Sequence, residues 1–515
     1  MSARRVDIIG GGPGGLYAAG LLKTAQPDWT VTVHERMSGS RDTFGFGVSL
    51  TSSTMTNLVA ADPASAEAIQ GVSHSGHGLL LLDGGEAIDL HGARNLAVSR
   101  SSLLEVLARH AEAAGVRIRS GAQVGATELD SDVVIAADGV RSATREKLAT
   151  ELGADIRVGR GMYVWCGSDF ALDDAIFSPA RTEHGLFVAH AYPYAEDRST
   201  FLIEADEASW RAAGLERSDA ATADGESDEH TLRYLERAFA ADLAGHPLLG
   251  NRSRWSRFHT VHLERWSHGN TVLIGDAAHT AHYTLGSGTK LALEDAIALS
   301  AALLAEGDTA AAFTAYEQSR RPAVTRFQHL AARSQRWWES YPLRVDQPLA
   351  QLAVGFMTRA GNIDLGRFAV DHPDVVAAAL GHYARRSVTA VPADITAWAL
   401  QQPYDDGRES RTASRIVTGS GLGHDAQRIE VVDVDPWGEA GDRGADLAKA
   451  ATAAGRVIHL HGADDTASVQ GRLDLGERIK LQTAATVLVG IPEHAAADAL
   501  SGLVSGRCDL IHFTR

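Results

Sequence analysis

A chain of 515 residues is too long for one compact core and divides into roughly two to four domains. Its 48 basic and 65 acidic residues leave a net charge of -17, which excludes nucleic acid and anionic membrane as main partners and confines any polyanionic ligand to a local basic pocket. Two cysteines, Cys166 and Cys508, without metal-ligand spacing, exclude a disulfide framework and predict reduced thiols in the cytoplasm.

The start, MSARRVDIIGGG, enters an apolar run that stops at glycine, too short for a secretory signal, and no later aliphatic block has the length of a membrane span. Residues 4–35 predict a β-α-β unit, with RRVDIIG and WTVTVHE as strands and PGGLYAAGLLKTA as the helix. SRSSLLEVLARHAEAAG, 99–115, predicts a serine-capped helix; VRIRSG and SDVVIAADG predict further strands of the same sheet. From 158 to 258, short alternating segments such as GLFVAHAYPY and RSTFLIEAD predict an antiparallel sheet. Within it the polar stretch RSDAATADGESDEH, 217–230, reads as a solvated loop.

TKLALEDAIALSAALLAEG, TAAAFTAYEQSRR and PAVTRFQHLAARSQRWWESY then predict long helices. YDDGRESRTASRIVTGSGLGHD, 404–425, reads as a linker, and beyond it RIEVVDVD, GRVIHLHG, ATVLVGI and CDLIHF are strands alternating with helices. The fold class is α/β. The expected domains are 1–157 with 259–305, a Rossmann-like unit; 158–258, an antiparallel sheet; 306–390, a helical extension; 391–425, a linker; and 426–515, a small α/β domain.

Gly10, Gly12 and Gly15 satisfy G-x-G-x-x-G between a strand and a helix, with Pro13 and Gly14 inside the motif. Gly10 permits the tight turn, Gly12 lets backbone approach a pyrophosphate, and Gly15 lets helix pack on strand, while the helix N-terminus faces the phosphates. Glu35 ends the next strand, where a carboxylate accepts ribose hydroxyl hydrogen bonds. The reading is a dinucleotide site.

Two further segments extend it. DVVIAADGVRSATR ends a strand in Asp138-Gly139 and carries Arg141 and Arg145; TVLIGDAAH ends another in Gly275-Asp276. With these the chain resembles the flavoprotein aromatic hydroxylases of the p-hydroxybenzoate hydroxylase type. The resemblance implies bound FAD, held by the glycine loop, Glu35, Arg36, Arg100, Asp138 and Asp276. It also implies that Gly286, Gly288 and Thr289 present backbone N–H groups and a helix N-terminus to the flavin's pyrimidine edge. NAD(P)H then visits as co-substrate without a phosphate loop of its own; TGSGLGHD, 418–425, reads as linker rather than a second one.

The broad family pattern has Pro and Asn where this chain has Tyr283 and Lys290. HTAHYTLGSGTKLALEDAIAL is instead similar to one branch, the salicylyl-CoA 5-hydroxylases. The likeness continues along residues 1–390 through DTFGFGVSLT, FVAHAYPY, STFLIEADEASWRAAGL, AYEQSRRPAV and ARSQRWWES. It implies an NAD(P)H- and O2-dependent monooxygenase that converts salicylyl-CoA to gentisyl-CoA through a flavin C4a-hydroperoxide. The alternatives are 2-aminobenzoyl-CoA or another ortho-substituted aromatic or indole, and, in another class, a flavin-holding partner without turnover.

His279, His282 and Tyr283 flank the flavin loop and are the candidates for polarising the phenol. Phe46, Gly47 and Val48 are candidates for lining the substrate cavity, and otherwise pack as an ordinary loop. Arg326, His329, Arg333 and Arg336 share one helix face, either a solvated basic face or, through Arg326 and Arg333, a grip on CoA phosphates. His74 and His77 lack a completing carboxylate or thiol, so no metal is expected. The closing LDLGERIKLQTAATVLVGIPEHAAADALSGLVSGRCDLIHFTR resembles the end of the old-yellow-enzyme barrel. A full barrel needs about 250 residues, so the tail is expected to be a shortened TIM-barrel reductase remnant without FMN, packed on the hydroxylase or stabilising a homodimer.

Overall fold

The structure is a computed structural model that describes residues 4–37, 46–90, 96–121, 123–286, 288–405, 410–411, 414–418, 426–432, 435–438, 442–454, 457–483 and 485–514. It divides into two compact units, Met1–Leu82 with His91–Gln335, and Asp83–Leu90 with Arg336–Arg515. Most of TGSGLGHD lies outside the described residues, as does the start of DTFGFGVSLT.

In chain order the first unit contains β1 (Arg5–Ile9), α1 (Pro13–Ala25), β2 (Thr30–Glu35), β3 (Gly47–Leu50), β4 (Leu96–Ser99), α2 (Arg100–Ala114), β5 (Arg117–Ser120) and β6 (Val133–Ala136). It continues with β7 (Ala154–Ser168), β8 (Ala175–Thr182), β9 (Gly185–Ala195), β10 (Arg198–Ala205), β11 (Ser256–Leu263), β12 (Ser267–His268), β13 (Thr271–Leu273) and α3 (Gly288–Ala305). The first sheet runs β12-β13-β6-β1-β2-β5 and is parallel apart from the short β12 edge. Parallel strands are covered on both faces: Val6, Ile8, Val31 and Val33 are buried on one, and Asp7, Ile9, Thr32 and His34 on the other. Pro13 opens α1 with its fixed φ and no wasted N–H, and Leu16, Tyr17, Ala18 and Leu22 bury its inner face.

The second sheet places β10 between β7 and β9, with β8 beyond β9 and β11 on the other side of β7. Side chains alternate across it. Val164, Cys166, Phe187, Phe201 and Ile203 point to one face and pack under short helices that supply Trp210, Leu215, Leu232 and Leu235. The opposite face carries Tyr163, Phe177, His190 and Glu204.

Those short helices shorten the expected loop at 217–230 to 222–228. Leu215–Ala221 and Glu229–Ala238 are helical, and their outer faces share the polar composition with the loop between them. Leu215 is fully buried, Asp228 caps the second helix by accepting from the His230 and Thr231 N–H groups, and Arg254 pairs with Asp219 at 3.3 Å.

A second correction concerns Pro322, which divides two expected helices but lies inside one, α4 (Thr309–Glu339). An internal proline costs about 3 kcal/mol. Buried Tyr316 and Arg320 before it and Val324, Gln328 and Ala331 after it hold the helix to one line.

The second unit contains β14 (Ala426–Glu430), α5 (Arg443–Ala454), β15 (Val457–His461), α6 (Thr466–Gln482), β16 (Thr486–Pro492), α7 (Ala496–Val504) and β17 (Leu510–Thr514). All four strands are parallel, and their order in the sheet is their order in the chain. Ile458, Leu460, Leu473, Val487, Val489 and Ile511 form its core. The stretch expected to be a linker is partly built into this unit. The Ile395–Leu400 segment is helical, Val417 N–H donates to the Ile511 carbonyl at 2.8 Å, and the Arg415 guanidinium lies 4.6 Å from the Tyr383 ring and 4.8 Å from Tyr404. Arg344 is fully buried here and forks onto Glu477, with both bonds at 2.8 Å. No helix among the described residues is long and apolar enough to cross a membrane.

Candidate active site

The glycine loop has the geometry its spacing requires. A Cβ on Gly10, at φ +107, would lie 2.3 Å from the Ala137 carbonyl oxygen, and one on Gly15 would lie 2.2 Å from that of Gly10. Neither position admits a side chain. A Cβ on Gly12 would meet nothing within 4 Å, so this backbone borders open space at the start of α1. Glu35 leaves the end of β2 with Oε2 accepting from Gly11 N–H at 2.7 Å and Oε1 from Met37 N–H at 2.9 Å. Arg36 is exposed beside it.

Asp138 follows β6. Its Oδ2 accepts from Thr144 N–H at 3.1 Å, while its buried Oδ1 has no hydrogen-bond partner in the structure. A buried carboxylate oxygen without a donor is costly unless a ligand supplies one, and a ribose or ribityl hydroxyl is such a donor. Arg145, missed as more than a motif residue, joins this turn to the next. Its guanidinium donates to the Val140, Asp276 and Ala277 carbonyls.

The second turn, Gly275–Ala277, continues from β13. Burial pushes the Asp276 carboxyl upward, opposed by the charges of Arg100, His279 and Arg145. Burial likewise lowers Arg100, against the pull of Asp276, so the two answer each other across the site. Gly286 sits at φ +63 with open space where its Cβ would be, and a Cβ on Gly288 would meet just Asp276 Oδ1 at 3.8 Å. Gly288 and Thr289 begin the 18-residue α3, whose N-terminal end favours negative charge. These residues fit a flavin dinucleotide: an open glycine at the phosphates, a donorless carboxylate near the chain, and a helix start beyond unobstructed backbone.

His279 turns inward. Its Nε2 is 2.8 Å from Asp295 Oδ2, which also accepts from Gly275 N–H at 2.9 Å, while Asp295 Oδ1 accepts from Arg320 Nε at 2.8 Å. Burial pushes the Asp295 carboxyl up, but His279 and Arg320 outweigh it and hold it below the usual carboxylate range.

His282 and Tyr283 face the second sheet. Their rings are 4.1 Å apart; Tyr283 meets Tyr163 edge-on at 5.0 Å, and Phe258 lies 4.8 Å from His282. His282 Nδ1 is 3.0 Å from Thr284 Oγ1, which is 2.8 Å from Ser334 Oγ. Opposite Tyr163 on the neighbouring strand is Glu204, whose Oε2 lies 3.6 Å from His190 Nε2 while its buried Oε1 has no hydrogen-bond partner in the structure. Glu204 and His190 sit inside STFLIEAD and FVAHAYPY but were not singled out. A glutamate set directly after the apolar run Phe201-Leu202-Ile203 was the available signal.

Phe46 and Gly47 lie against the same sheet. Gly47 N–H donates to Thr200 Oγ1 at 2.9 Å, the Tyr192 hydroxyl donates to the Gly47 carbonyl at 2.8 Å, and a Cβ on Gly167 would be 2.4 Å from the Phe46 ring. Val48 pairs with Val98 in the β3-β4 ladder. Of the basic helix face, Arg326 and His329 are exposed, Arg333 is half-buried, and Arg336 pairs with Asp435 at 3.0 Å. Lys290 reaches Ser53 Oγ at 3.2 Å. His74 and His77 stack at 6.1 Å, and no group of metal-ligating residues is found among the described residues.

The fold and the two turns define an FAD-binding α/β protein, and a family model for the FAD binding domain matches residues 4–134 and 124–331. A salicyloyl-CoA 5-hydroxylase of a Streptomyces species is 39% identical over 436 residues, covering 83% of this chain and 82% of that protein. A 3-hydroxy-4-methyl-anthranilyl-(aryl-carrier protein) 5-monooxygenase of Streptosporangium sibiricum is 40% identical over 359 residues, covering 70% of this chain and 95% of its own. Among solved structures, a variant of 2-methyl-3-hydroxypyridine-5-carboxylic acid oxygenase superposes with a TM-score of 0.54 at 21% identity, over 75% of this chain and 99% of that one, a likeness of fold. The chain belongs to the FAD-dependent aromatic hydroxylases. It is a flavoprotein monooxygenase with FAD as its cofactor.

Proposed function

We propose that the protein hydroxylates salicyloyl-CoA (salicylyl-CoA) at C5 to give gentisyl-CoA, using NAD(P)H and O2. The observation that supports this best is the Tyr283–His282 pair set between the flavin loop and the aromatic sheet face, in contact with Tyr163 and Phe258. The ortho-hydroxyl of the substrate raises electron density at C5, the carbon para to it. FAD, when bound, takes electrons from NAD(P)H and activates O2.

The protein's own residues bind, orient and exclude water. Gly10, Gly12, Gly15, Glu35, Arg36 and Asp138 hold the dinucleotide; Arg100 and Asp276 hold the chain toward the flavin. Gly286, Gly288 and Thr289 offer backbone to its pyrimidine edge. His282 and Tyr283 hold the phenol, and His279 acts through Asp295 to position the loop. Phe46, Gly47 and Val48 wall the ring, and Arg326 and Arg333 meet CoA phosphates.

In this reading 1–157 with 259–305 form the cofactor domain, 158–258 the substrate sheet and 306–390 a helical extension. Residues 426–515 are the shortened barrel remnant, a reading supported by four parallel strands in chain order. It holds no FMN and serves packing or a homodimer, in the cytoplasm. The anthranilyl group in the second relative's name favours a second reading, a 2-aminobenzoyl thioester, whose amino group activates the same carbon.

The test is NAD(P)H oxidation by the FAD-loaded protein, coupled to a product heavier by one oxygen, with salicyloyl-CoA, salicylate and 2-aminobenzoyl-CoA compared. Salicyloyl-CoA is expected to give the highest kcat/KM. Equal turnover of free salicylate removes the CoA assignment.

A further inference from the structure

One stretch of the second sheet lies between two covers. On β7, Tyr163 meets the Tyr283 ring at 5.0 Å, and further along the strand a Cβ on Gly167 would be 2.4 Å from the Phe46 ring. Side chains alternate along a strand, so Tyr163, Trp165 and Gly167 share one face, and Trp165 stands midway between the flavin loop and Phe46. Tyr163 pairs with Glu204 and Trp165 with Leu202, which sets Glu204 on the same face, diagonal to Trp165.

Two polar atoms on this stretch are buried and lack a hydrogen-bond partner among the described residues: Trp165 Nε1 and Glu204 Oε1. By contrast, under Phe46 the Thr200 hydroxyl accepts from Gly47 N–H and the Tyr192 hydroxyl donates to the Gly47 carbonyl. The other Glu204 oxygen, Oε2, faces His190 Nε2 at 3.6 Å. The two unpartnered atoms are opposite in kind. An indole N–H only donates, and a carboxyl oxygen accepts whether or not the other oxygen carries a proton. Each is costly unless a ligand completes it. A donor and an acceptor left open side by side describe a ligand that carries an acceptor beside a donor.

We propose that Trp165 and Glu204 read the substrate's acyl group and ortho substituent together: Trp165 Nε1–H donates to the acyl carbonyl, and Glu204 Oε1 accepts from an ortho hydroxyl or amino group. The proposal rests on the reading above that an ortho-substituted aromatic acyl thioester occupies this face. A 2-hydroxybenzoyl or 2-aminobenzoyl group carries its acceptor and its donor on adjacent ring carbons, where they otherwise bond to each other; on the sheet each finds a protein partner instead. A phenol oxygen still has lone pairs for His282 and Tyr283, so Glu204 adds to their hold rather than replacing it. Trp165 and Glu204 fix which ring binds and which way round, and so which carbon faces the flavin.

The FAD-loaded full chain is titrated with salicyloyl-CoA, benzoyl-CoA and S-(2-hydroxybenzyl)-CoA, with binding read from the flavin absorption spectrum. Benzoyl-CoA lacks the ortho donor, and the benzyl thioether lacks the carbonyl. The wild type is expected to bind salicyloyl-CoA about tenfold to hundredfold more tightly than either. In Glu204→Leu the advantage over benzoyl-CoA falls to within about threefold while the advantage over the thioether stays, and in Trp165→Phe the pattern reverses. That crossing is a readout that mere loosening of the sheet would not give, because loosening lowers both ratios alike. The wild-type ratios and Trp165→Phe decide the matter should Glu204→Leu fail to hold FAD. A wild type that binds all three alike, an unchanged ratio in either variant, or both ratios falling alike overturns the proposal. If no thioester binds, the same ratios are read with salicylamide, benzamide and 2-hydroxybenzyl alcohol, so the substrate reading and this inference fail separately.

Discussion

Replacing Asp295 by Asn tests the account of the flavin turn. The carboxylate is fully buried, pairs with His279 and Arg320 at 2.8 Å each, and accepts from Gly275 N–H. An amide oxygen can keep one of these bonds but not the charge. Breaking a buried pair by removing one partner costs about 3–5 kcal/mol. Arg320 keeps Glu294 at 3.1 Å, which places the expected loss near the lower end. For a unit of this size, Met1–Leu82 with His91–Gln335, ~3 kcal/mol corresponds to roughly 4–5 °C in Tm.

The pH dependence adds a second signature. The folded carboxyl is held below the usual range by His279 and Arg320 against the effect of burial. Its stabilisation is therefore present above the unfolded value near ~4 and is lost as pH falls through the folded one. D295N should lack that share of the acid-side loss, so the two melting temperatures converge as pH drops. The assay is thermal unfolding of the FAD-loaded protein from neutral to acid pH, followed by flavin fluorescence. A D295N Tm within 2 °C of the wild type at neutral pH would refute the reasoning.

The glycines of the phosphate loop should separate. Gly15→Ala drives a Cβ into the Gly10 carbonyl and is expected to lower the Tm of the apoprotein, whereas Gly12→Ala meets no protein atom and should lower FAD affinity with the apoprotein Tm unchanged. Burial pushes both thiols, Cys166 and Cys508, up to about 12, so neither should react with a disulfide reagent at pH 8 before denaturant is added. Fast stoichiometric labelling of the folded protein would contradict this. Glu477→Gln leaves the Arg344 guanidinium buried without its countercharge and should destabilise the second unit by about 3 kcal/mol or more, measured as a shift in denaturant midpoint.

The phosphate loop was legible because all its parts are local: a strand, three glycines at fixed spacing, a helix, and a carboxylate ending the next strand. The Gly275-Asp276 turn was legible for the same reason. Glu204 was not, because β10 is buried on both faces and shows no alternation to mark which side meets the ligand. Asp295 lies in LALEDAIAL, where an acidic pair reads as a solvated helix face; its partners come from the preceding turn and from a helix 25 residues on. The two ends of the 217–230 stretch were misjudged because composition reports a helix's outer face as readily as a loop. Pro322 misled because a proline penalty is a local cost and the packing on either side of it is not local.

Arg145 spans two turns, donating to Val140 on one and to Asp276 and Ala277 on the other. Two turns that share one guanidinium do not hinge independently. Release of FAD is then expected to need both turns to open at once, so the cofactor should stay with the protein through gel filtration while Arg145→Ala sheds it.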